Sequence, residues 1–562
     1  MNNDPSFFNR LSRFFPFLNW PRPTAQSLGH DAWAGLSVAL VLIPQALAYA
    51  TLAGMPPQTG LYAALIPSVI GILWGSSALL AVGPVALTSL LVVGSLTPLA
   101  TAGTADWVVL AIWLSLYAGL IQFLLGACRL GRIASLVSQP VIVGFINAAA
   151  LIIILSQLPA LLGLHFSPAM LTDPLRAIQS APAALVTATF GCTALLLLFL
   201  FKRYASKYPA ILLVSALGIV ASWRMEYAAY GAAIVGHIPA GLPPLAMPSA
   251  IPFSLHQALW PAALIIALIS FTEAMSSCRV IARKTGEDWD ENQELIGQGL
   301  AKMSSAFSGA FPVSGSFSRS ALNLYAGAVS AWSTLFTALC VVLSLYFLTD
   351  LIAFMPRSVL AAMIIVPVCS LIDLAAIKRL LVISKDDGLI AIATLGTTLL
   401  TAPHLHWGVF TGVGLSLVSF LYRRTHPRII EVAQHPDGTF RDRGRFDLPP
   451  IAPDVFAIRI DSALNFLTCL TFERRITESY RQNKQIKRVL FCAGSVNDID
   501  ASGIDTLIAL RDTLERNGIS FFMCAVKQQV WDVMDKSGYL AMMGSERIFL
   551  TDSDAIAALR SR

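Results

Sequence analysis

The sequence has little charge. Only 13% of its 562 residues are Asp, Glu, Lys or Arg, whereas ordinary soluble domains contain about 25%. None of these residues occurs from Ala32 to Ala105, a stretch long enough for about three membrane spans of roughly 20 residues each. Of the 33 acidic residues, 18 follow Leu421. Most of the chain is therefore not solvated by water, and a soluble part is confined to its end.

The chain also lacks the short motifs of common enzyme classes. It contains no HExxH, Walker A, GxGxxG or GxSxG sequence, each of which supplies a metal, a phosphate cradle or a nucleophile. The eight cysteines show no CxxC spacing. His404 and His406 form an HxH, which offers only two of the four ligands of a typical structural zinc site. The sequence therefore predicts no enzyme, no metal site and no cofactor.

The positive charges that are present follow a pattern. Alternate predicted loops carry clusters of cations, namely Arg129 and Arg132; Lys202, Arg203 and Lys207; Arg279, Arg283 and Lys284; Lys378, Arg379 and Lys385; and Arg423, Arg424 and Arg428. Such alternation is typical of helical membrane proteins, whose cytoplasmic loops are enriched in Lys and Arg. It explains the net charge of +6 without nucleic acid. It predicts a multi-pass protein of a bacterial inner membrane with both termini in the cytoplasm.

Hydrophobic runs divide the chain into domains. We expect a cytoplasmic N-terminal segment at 1–30, a transmembrane domain at 31–425, a linker at 426–436 and a soluble domain at 437–562. The transmembrane domain is predicted to have two halves, about 31–223 and 257–422. Fourteen membrane segments are predicted in the bilayer, at about 31–53, 58–76, 81–98, 106–127, 134–158, 181–201, 209–223, 257–282, 294–309, 314–327, 330–349, 356–374, 387–402 and 405–422.

Two of these segments are interrupted at their start. Segment three opens with Ala81-Val82-Gly83-Pro84, and segment ten opens with Pro312-Val313-Ser314-Gly315-Ser316. Gly83 and Gly315 are 232 residues apart, close to the 228 residues that separate Gln45 from Glu273 in segments one and eight. Matched interruptions in two halves indicate an inverted repeat with a binding site where the breaks meet. The alternative is a pair of unrelated Gly/Pro kinks.

Arg319 lies directly after the second break. A half-helix that starts in mid-membrane offers free N–H groups and a positive dipole end, and Ser316 and Ser318 add hydroxyl donors. A guanidinium suits oxyanions. Together these groups predict a site for a small oxyanion, unless Arg319 forms a structural ion pair instead.

Glu273 is the other costly charge in a predicted span, and no basic residue lies within five positions of it. A carboxyl group can take a proton on one side of the membrane and release it on the other, so Glu273 is a candidate for proton coupling. It could also be a static partner of Arg319. No second proton carrier is evident near it. Lys302, at the start of segment nine, is expected to extend to the cytoplasmic surface.

The tail reads as a compact α/β domain. Residues Val455–Ile460, Arg488–Cys492 and Ile519–Val526 are predicted to be buried strands. A helix with Ile504, Leu507, Ile508 and Leu514 on one face lies between the second and third strands, and Asp500-Ala501-Ser502 at its start favours capping. A short parallel or mixed sheet with helices is expected.

Four motifs, in order along the chain, resemble those of the sulfate permease (SulP) family with its C-terminal STAS domain. The resemblance covers nearly the whole chain after about residue 25. The motifs are Ile43-Pro44-Gln45-Ala46-Leu47-Ala48-Tyr49-Ala50 with Ala53-Gly54-Met55-Pro56-Pro57-Gln58-Thr59-Gly60-Leu61-Tyr62; Asn292-Gln293-Glu294-Leu295; Gly315-Ser316-Phe317-Ser318-Arg319-Ser320-Ala321-Leu322-Asn323; and Asp498-Ile499-Asp500-Ala501-Ser502-Gly503.

The resemblance implies a seven-plus-seven inverted repeat with core and gate domains, which works by elevator-like movement, usually as a homodimer. It places the anion site on Gln45, Tyr49, Val85, Ala86, Ser316, Phe317, Ser318 and Arg319, with Glu273 nearby. It places Ser502 at the position that is phosphorylated in anti-sigma-factor antagonists, where a cytoplasmic protein partner could bind. Ala301-Lys302 departs from the Ala-Asn that relatives often have.

The resemblance favours sulfate as the anion, because segment ten carries the Arg that the bicarbonate branch tends to lack. Glu273, as a candidate proton carrier, makes proton symport the expected mode of uptake. A bicarbonate, chloride or C4-dicarboxylate carrier of the same family is the alternative. A membrane-tethered STAS signalling protein is an alternative from another class, although a mere anchor would not need broken helices with polar linings.

Overall fold

The computed structural model describes residues 15–20, 22–131, 137–164, 182–204 and 209–561. Residues 1–14 of the expected N-terminal segment lie outside these ranges, as do the first residues of the fifth and sixth expected membrane segments and the loop cations Arg132 and Lys207. The chain divides into two units, Met1–Ser416 and Leu417–Arg562, which are described separately.

The helices of the membrane part begin with α1, whose start is fixed by a capping box. The Thr24 hydroxyl accepts a hydrogen bond from the Ser27 N–H at 3.1 Å, and the Ser27 hydroxyl accepts one from the Thr24 N–H at 2.9 Å. The helices are α1 (Ala25–Leu52), α2 (Gln58–Trp74), α3 (Ala86–Leu96), α4 (Ala105–Ala127), α5 (Gln139–Leu162), α6 (Pro182–Tyr204), α7 (Ala210–Arg224), α8 (Phe253–Thr285), α9 (Glu291–Phe307), α10 (Phe317–Tyr325), α11 (Trp332–Phe347), a single turn at Thr349–Ile352, α12 (Arg357–Cys369), α13 (Leu374–Ile383), α14 (Lys385–Leu400) and α15 (His406–Thr425).

Within the described ranges, six helical stretches are long and apolar enough to cross a membrane, and four shorter helices are apolar. The count of fourteen segments stays a prediction. One helix, α13, lies where a loop was expected. Asp373 caps its first turn by accepting the Ala376 N–H at 2.8 Å, and Ile377 and Leu380 are buried. Lys378 and Arg379 interrupt the apolar run in the sequence, but they lie on the exposed face of this amphipathic helix.

The helices of the first unit pack in two groups. The core group joins α1–α4 to α8–α11, with α4 against α9 and α1 against α11. The gate group joins α5–α7 to α12 and α14, with α5 against both α12 and α14. Because each group takes corresponding helices from both halves of the sequence, the arrangement agrees with the predicted fold class.

The two predicted interruptions meet in the core group. Strand β1 (Val82–Gly83) pairs antiparallel with strand β2 (Ser314–Gly315), with Val82 opposite Gly315 and Gly83 opposite Ser314. The Ser316 N–H extends the pairing by donating to the Ala81 carbonyl at 2.9 Å. Helices α3 and α10 start two or three residues after these strands. The crossing therefore brings two helix N-termini to one place.

The second unit contains a six-stranded sheet flanked by helices. Its strands are β3 (Ile429–Gln434), β4 (Phe440–Asp442), β5 (Val455–Ile460), β6 (Arg488–Cys492), β7 (Ser520–Cys524) and β8 (Ile548–Phe549), in the order β4-β3-β5-β6-β7-β8. Strands β5 to β8 are parallel, and β3 is antiparallel to both of its neighbours. The helices are a single turn at Arg443–Phe446, α16 (Cys469–Gln482), α17 (Ala501–Arg516), α18 (Gln528–Lys536), α19 (Tyr539–Met543) and α20 (Asp552–Ser561).

Alternate residues of the central strands pack on opposite faces of this sheet. Phe491 and Phe521 lie in one apolar cluster with α16 and α17, while Leu490 and Phe522 lie in another with α20. Parallel strands that are covered on both faces read as continuous apolar runs, which is why the sequence could identify them. Asp500 caps α17 as predicted, accepting the Gly503 N–H at 2.8 Å.

One strand lies inside the segment expected to be a linker. Ile429–Gln434 pairs with β5, with Ile429 opposite Ile460 and Glu431 opposite Ile458. Its Val432 and Ala433 are buried in the sheet. The sheet therefore begins before residue 437, because this short apolar stretch completes the edge that β5 would otherwise expose.

Candidate functional site

Arg319 is held at the strand crossing. It lies in the first turn of α10, and its side chain is almost fully buried. Its Nη1 donates to the Pro84 carbonyl at 2.9 Å, so the guanidinium reaches from α10 to the second residue before α3. Its Nε and Nη2 have no hydrogen-bond partner among the described residues. Buried donors without partners are rare, and a bound anion would satisfy these two.

The two helix N-termini add further donors beside Arg319. Val85 is the N-cap of α3, has no side-chain cap, and is followed by Ala86 as the first helical residue. Ser316 is the N-cap of α10, and its hydroxyl accepts the Arg319 N–H at 3.4 Å. The N–H groups of a first helical turn have no partner within the helix, and they carry a partial positive charge. The crossing is therefore an electropositive site suited to an anion.

A cavity of about 330 Å³ leads to this site. Gln45, Ser318 and Arg319 contribute polar groups to its lining, and Lys202 lies at the end of α6. The remaining lining is mostly apolar: Val41, Leu198, Phe201, Ala210, Ile211, Leu322, Met363, Val366, Pro367 and Ser370. The Gln45 Oε1 is buried without a partner in the described part of the chain. A mainly apolar pocket with a few convergent polar groups is typical of small-ligand sites.

Two other expected site residues occupy different positions. Tyr49 is buried, and its hydroxyl interacts electrostatically with Arg319 and Glu273. The Phe317 side chain is 51% exposed and does not line the cavity, so this residue could contribute only its backbone at the first turn of α10. The structure thus brings Gln45, Ser318 and Arg319 to one cavity, and places Val85, Ala86 and Ser316 at the crossing beside it.

Glu273 lies on α8 behind the second break. The Ser314 hydroxyl is 3.0 Å from the Ser270 carbonyl and 3.4 Å from the Glu273 Oε2, so its one hydrogen is shared between two acceptors. Glu273 and Arg319 interact electrostatically. They form no ion pair within 4.0 Å in the described structure. The two residues are therefore coupled by charge without being locked together.

The expectation that Lys302 extends to the cytoplasmic surface is wrong. Its side chain is 0% exposed, and its Nζ donates to the Gln122 Oε1 at 2.9 Å. Lys302 lies on the face of α9 that packs on α4, where Gly119 and Gly299 let the helices approach so closely that an added Cβ at Gly119 would lie 2.7 Å from the Gly299 carbonyl oxygen. This packing keeps the side chain inside the core group.

Several residues that brace the crossing were not identified from the sequence. The Ser68 hydroxyl donates to the Val82 carbonyl at 2.7 Å, and the Ser320 hydroxyl accepts the Ala81 N–H at 2.9 Å. Asn323 donates to the Leu79 carbonyl at 3.4 Å. Ser320 and Asn323 belong to the motif around Arg319, which was a usable signal. Ser68 is an isolated serine in an apolar segment and gave none.

The Asn292-Gln293-Glu294 motif joins the start of α9 to its neighbours. Asn292 accepts the Gly131 N–H at 2.9 Å, and the Gln293 amide donates to the Trp74 carbonyl at 2.7 Å. Glu294 accepts the N–H groups of Ser76 and Ser77 at 2.9 and 3.2 Å. These residues therefore position α9 rather than contact the cavity.

Ser502, in the second unit, is exposed in the first turn of α17. The loop before it is ordered by Asp500, whose second carboxylate oxygen accepts the Phe466 N–H at 3.1 Å. Ser502 is thus accessible at a helix N-terminus, where negative charge is stabilised.

Comparisons with known proteins agree with this geometry. The model of the sulfate permease family matches residues 28–394, and that of the STAS domain matches residues 449–555. A probable sulfate transporter of Mycobacterium tuberculosis is 33% identical over 538 residues, which cover 95% of each chain. Probable sulfate transporter 4.2 of Arabidopsis thaliana is 30% identical over 573 residues, which cover 98% of this chain and 84% of the relative. The solved structure of murine solute carrier 26 family member A9, an anion transporter, shares the fold with a TM-score of 0.87 at 21% identity, covering 100% of this chain and 96% of that one.

Proposed function

The chain belongs to the sulfate permease family, whose members are transporters and not enzymes, and we propose on that premise that it takes up sulfate together with protons. The observation that carries the proposal is Arg319, a buried guanidinium with two unpartnered nitrogens beside two helix N-termini. The planar fork of Arg matches an oxyanion in two hydrogen bonds at once. The relatives named as sulfate transporters favour sulfate over bicarbonate, chloride or a C4-dicarboxylate.

The other predicted site residues supply the rest of the anion shell. The backbone N–H groups at the starts of α3 and α10 would face the anion. The hydroxyl groups of Tyr49, Ser316 and Ser318 and the amide of Gln45 would lie at its sides. These residues are Gln45, Tyr49, Val85, Ala86, Ser316, Phe317 and Ser318.

Transport itself requires the site to move between the two sides of the membrane. The cavity is lined by Gln45, Ser318 and Arg319 from the core group and by Phe201, Met363 and others from the gate group. An elevator-like movement of the core group along the gate group would carry the site across the membrane. Lys202 lies on the cavity side that the positive-inside pattern places in the cytoplasm.

The proposal also covers the membrane in which the protein lies, its oligomeric state and its division into domains. We place the chain in a bacterial inner membrane as a homodimer with both termini in the cytoplasm. The transmembrane domain spans 31–425, and the soluble domain includes β3 in addition to residues 437–562. Phosphorylation of Ser502 would add charge at the exposed start of α17. It would regulate transport, or the binding of a protein partner, without changing which anion is carried.

Energy coupling is assigned to Glu273. Sulfate is a dianion at neutral pH, and accumulating two charges against a negative-inside potential costs about 4.6 kcal/mol per 100 mV. Co-transported protons offset this cost. Glu273 is partly buried, interacts electrostatically with Arg319 and is hydrogen-bonded to Ser314, so a proton on its carboxyl group would change the field at the anion site.

Radiolabelled sulfate uptake into proteoliposomes that contain the full chain tests this proposal. The wild type should concentrate sulfate when the outside is acidic, and excess unlabelled sulfate should compete better than bicarbonate, chloride or a C4-dicarboxylate. Glu273→Gln cannot release a proton. It should bind and exchange sulfate, but it should accumulate less sulfate than the wild type at the same pH gradient.

Glu291→Gln is the matched control, because in the described part of the chain Glu291 forms an ion pair with the exposed Arg279 at 3.6 Å. It should accumulate sulfate like the wild type. If Glu273→Gln concentrates sulfate to the same ratio as the wild type in response to the gradient, the coupling assignment is wrong. If bicarbonate, chloride or a C4-dicarboxylate competes better than sulfate, the substrate is that anion.

A further inference from the structure

The side-chain nitrogen of Lys302 lies inside the core group. None of its side chain is exposed, and its Nζ has one hydrogen-bond partner among the described residues, the neutral Gln122 Oε1 at 2.9 Å. An ammonium group has three donors, and moving it from water into a protein interior is costly unless it is paired. A permanently charged Lys302 would bear this cost with one neutral partner.

A chain of buried polar groups connects Lys302 with Glu273. The Gln122 Nε2 donates to the Ser270 hydroxyl at 3.1 Å and to the Ala267 carbonyl at 2.6 Å. The Ser270 carbonyl in turn accepts from Ser314, whose hydroxyl also contacts Glu273. The chain spans α9, α4 and α8 and ends at strand β2. Lys302 thus shares one polar patch with the proposed coupling residue.

The charges that act on Lys302 are few. In the described part of the chain, Glu273 on α8 and Glu294 on α9 are the ionised groups that affect it, whereas α2 and α4 present no charged group to it. Glu294 lies eight residues earlier on the same helix, about 12 Å along its axis. Its carboxylate is already satisfied by Ser76, Ser77 and the Gln298 amide. Glu273 is therefore the charge that can respond to Lys302.

We propose that Lys302 is the second proton carrier of this transporter, and that it works with Glu273 to match two protons to one sulfate dianion. The inference rests on the proposed proton-coupled uptake of sulfate. In the loaded state the Glu273 carboxyl group is neutral, Lys302 and Arg319 are cations, and the sulfate carries two negative charges. In the empty state Glu273 is an anion, Lys302 is neutral and Arg319 is a cation. The charges sum to zero in both states.

This balance depends on the residue type at position 302. With Asn there and one proton on Glu273, the loaded site would keep one uncompensated negative charge from sulfate. Arg would keep its proton in the empty state as well, because a guanidinium is effectively always charged. A buried Lys can hold a proton or release it. Only such a group makes both states neutral with a divalent anion.

The release step involves proton transfer alone. As sulfate leaves on the cytoplasmic side, one N–H bond of the Lys302 ammonium and the O–H bond of the Glu273 carboxyl group break. Both protons pass to cytoplasmic water, and the bonding pairs stay on Nζ and on the carboxylate. Nothing is oxidised or reduced.

Proton uptake during sulfate binding tests the inference without transport. The purified full chain is titrated with sodium sulfate by calorimetry near neutral pH in buffers of different ionisation enthalpy, which gives the protons taken up per sulfate bound. The wild type should take up about two protons. Glu273→Gln leaves Lys302 intact and should take up about one, as should Lys302→Asn. The double variant should bind sulfate with no proton uptake.

Uptake into proteoliposomes gives a second, independent measurement. Wild-type accumulation driven by an acid-outside gradient should not respond to a potential imposed with valinomycin. Lys302→Asn should carry one net negative charge per cycle, so its accumulation ratio should fall about tenfold at an inside-negative potential of about 59 mV. Lys378→Asn removes an exposed lysine of α13 and should behave like the wild type.

The outcomes of these experiments distinguish a failure of this inference from a failure of the proposed proton-coupled sulfate uptake. If wild-type accumulation ignores the pH gradient, proton symport itself fails and Lys302 carries no proton for it. If the wild type is proton-coupled but Glu273→Gln takes up no proton with sulfate, Lys302 is a fixed group and the inference is overturned while symport stands. Unchanged proton uptake and unchanged potential independence in Lys302→Asn would overturn it equally.

Discussion

Two arginines of this protein differ in how many of their hydrogen bonds are made. Arg488 in the second unit donates from Nε and Nη2 to the two carboxylate oxygens of Asp454 at 2.8 and 2.6 Å, and from Nη1 to the Leu559 carbonyl at 2.8 Å. Arg319 in the first unit is more deeply buried, yet it has one hydrogen bond from its guanidinium, and its Nε and Nη2 have no partner in the described residues.

The difference separates a structural arginine from a binding one. All three kinds of guanidinium nitrogen in Arg488 are satisfied by the protein itself, so its side chain joins strands β5 and β6 to helix α20. Leaving donors unpaired in a buried place lowers stability. A protein therefore retains a buried arginine with unpaired donors, such as Arg319, where a bound ligand completes its hydrogen bonds. The guanidinium of Arg319 with its two unpaired nitrogens, here called the open fork, is the strongest single indication of the anion site.

The largest effect is expected when the open fork is removed. Arg319→Ala should lower sulfate affinity about ten- to a hundredfold, because a hydrogen bond to a charged group contributes about 1.5–3 kcal/mol. Arg319→Lys should lie between this variant and the wild type, since Lys keeps the charge but loses the planar fork. Sulfate titration of the purified full chain measures both affinities.

The same titration of Arg488→Ala is the control, and its sulfate affinity should equal that of the wild type. If Arg319→Ala binds sulfate with wild-type affinity, Arg319 is a structural arginine like Arg488, and the contrast between the two arginines does not hold. Thermal unfolding in detergent checks that the Arg319 variants are folded.

A second expected effect separates the two glycines at the strand crossing. At Gly315 an added Cβ would lie 3.0 Å from the Ala274 Cβ and from both methyl groups of Leu80, so Gly315→Ala should lower stability by about 1–3 kcal/mol through overpacking. At Gly83 the added Cβ would lie 3.2 Å from the Arg319 Nη2. Gly83→Ala should therefore weaken sulfate binding roughly two- to fivefold, because it displaces a donor that must meet the anion at close range.

Thermal unfolding and sulfate titration of both variants measure this contrast. Both variants should unfold at a lower temperature than the wild type, Gly315→Ala through overpacking and Gly83→Ala because a side chain is strained at the φ of +157° that Gly83 adopts. Gly83→Ala should change sulfate affinity more than Gly315→Ala. The reverse order for affinity would mean that the Arg319 Nη2 does not face the anion.

Removing the fully hydrogen-bonded guanidinium of Arg488, here called the closed fork, should have a smaller effect, and on stability alone. Arg488→Ala leaves the Asp454 carboxylate and the Leu559 carbonyl without this partner. It should destabilise the second unit by about 1–2 kcal/mol, because the side chains of Arg488 and Asp454 are partly exposed and water replaces some of the lost bonds. Hydrogen exchange of the full chain should show faster exchange in β5, β6 and α20. No change in these elements would mean that the closed fork contributes nothing measurable.

Much of this arrangement could be predicted from the sequence. Gly and Pro inside apolar runs mark interrupted helices, and their matched spacing located the crossing of β1 and β2. Continuous apolar runs located β5, β6 and β7, because both faces of those strands are covered. Asp500 was recognisable as a cap from its place between a strand and an amphipathic helix.

Other features depend on three-dimensional neighbours that local patterns do not reveal. Lys302 was expected at the cytoplasmic surface, and only the close approach of α4 and α9 at Gly119 and Gly299 shows that it faces inward. The open fork of Arg319 depends on which carbonyl lies opposite it, here that of Pro84 from the other half of the repeat. Strand β3 was missed because its pairing partner β5 lies more than twenty residues later.

The smallest expected effect depends on pH and concerns Asp454, the carboxylate that accepts two hydrogen bonds from Arg488. Hydrogen bonds from Arg488 hold the pKa of Asp454 below its usual value. A carboxyl group whose pKa is lower in the folded state stabilises the fold at pH values above its unfolded pKa of about 3.9, and it loses that contribution as the pH falls through the lower folded value. Asp454→Asn removes the charge at every pH. It should therefore destabilise the second unit by less than about 1 kcal/mol at pH 7, and by progressively less as the pH falls below the unfolded pKa and through the lower folded one. Hydrogen exchange of β5 and β6 in the full chain at several pH values measures this difference, with Asp535→Asn, at an exposed position of α18, as the control. A difference between Asp454→Asn and the wild type that stays constant down to pH 3 would show that the geometry of the fork, and not its charge, stabilises this part of the sheet.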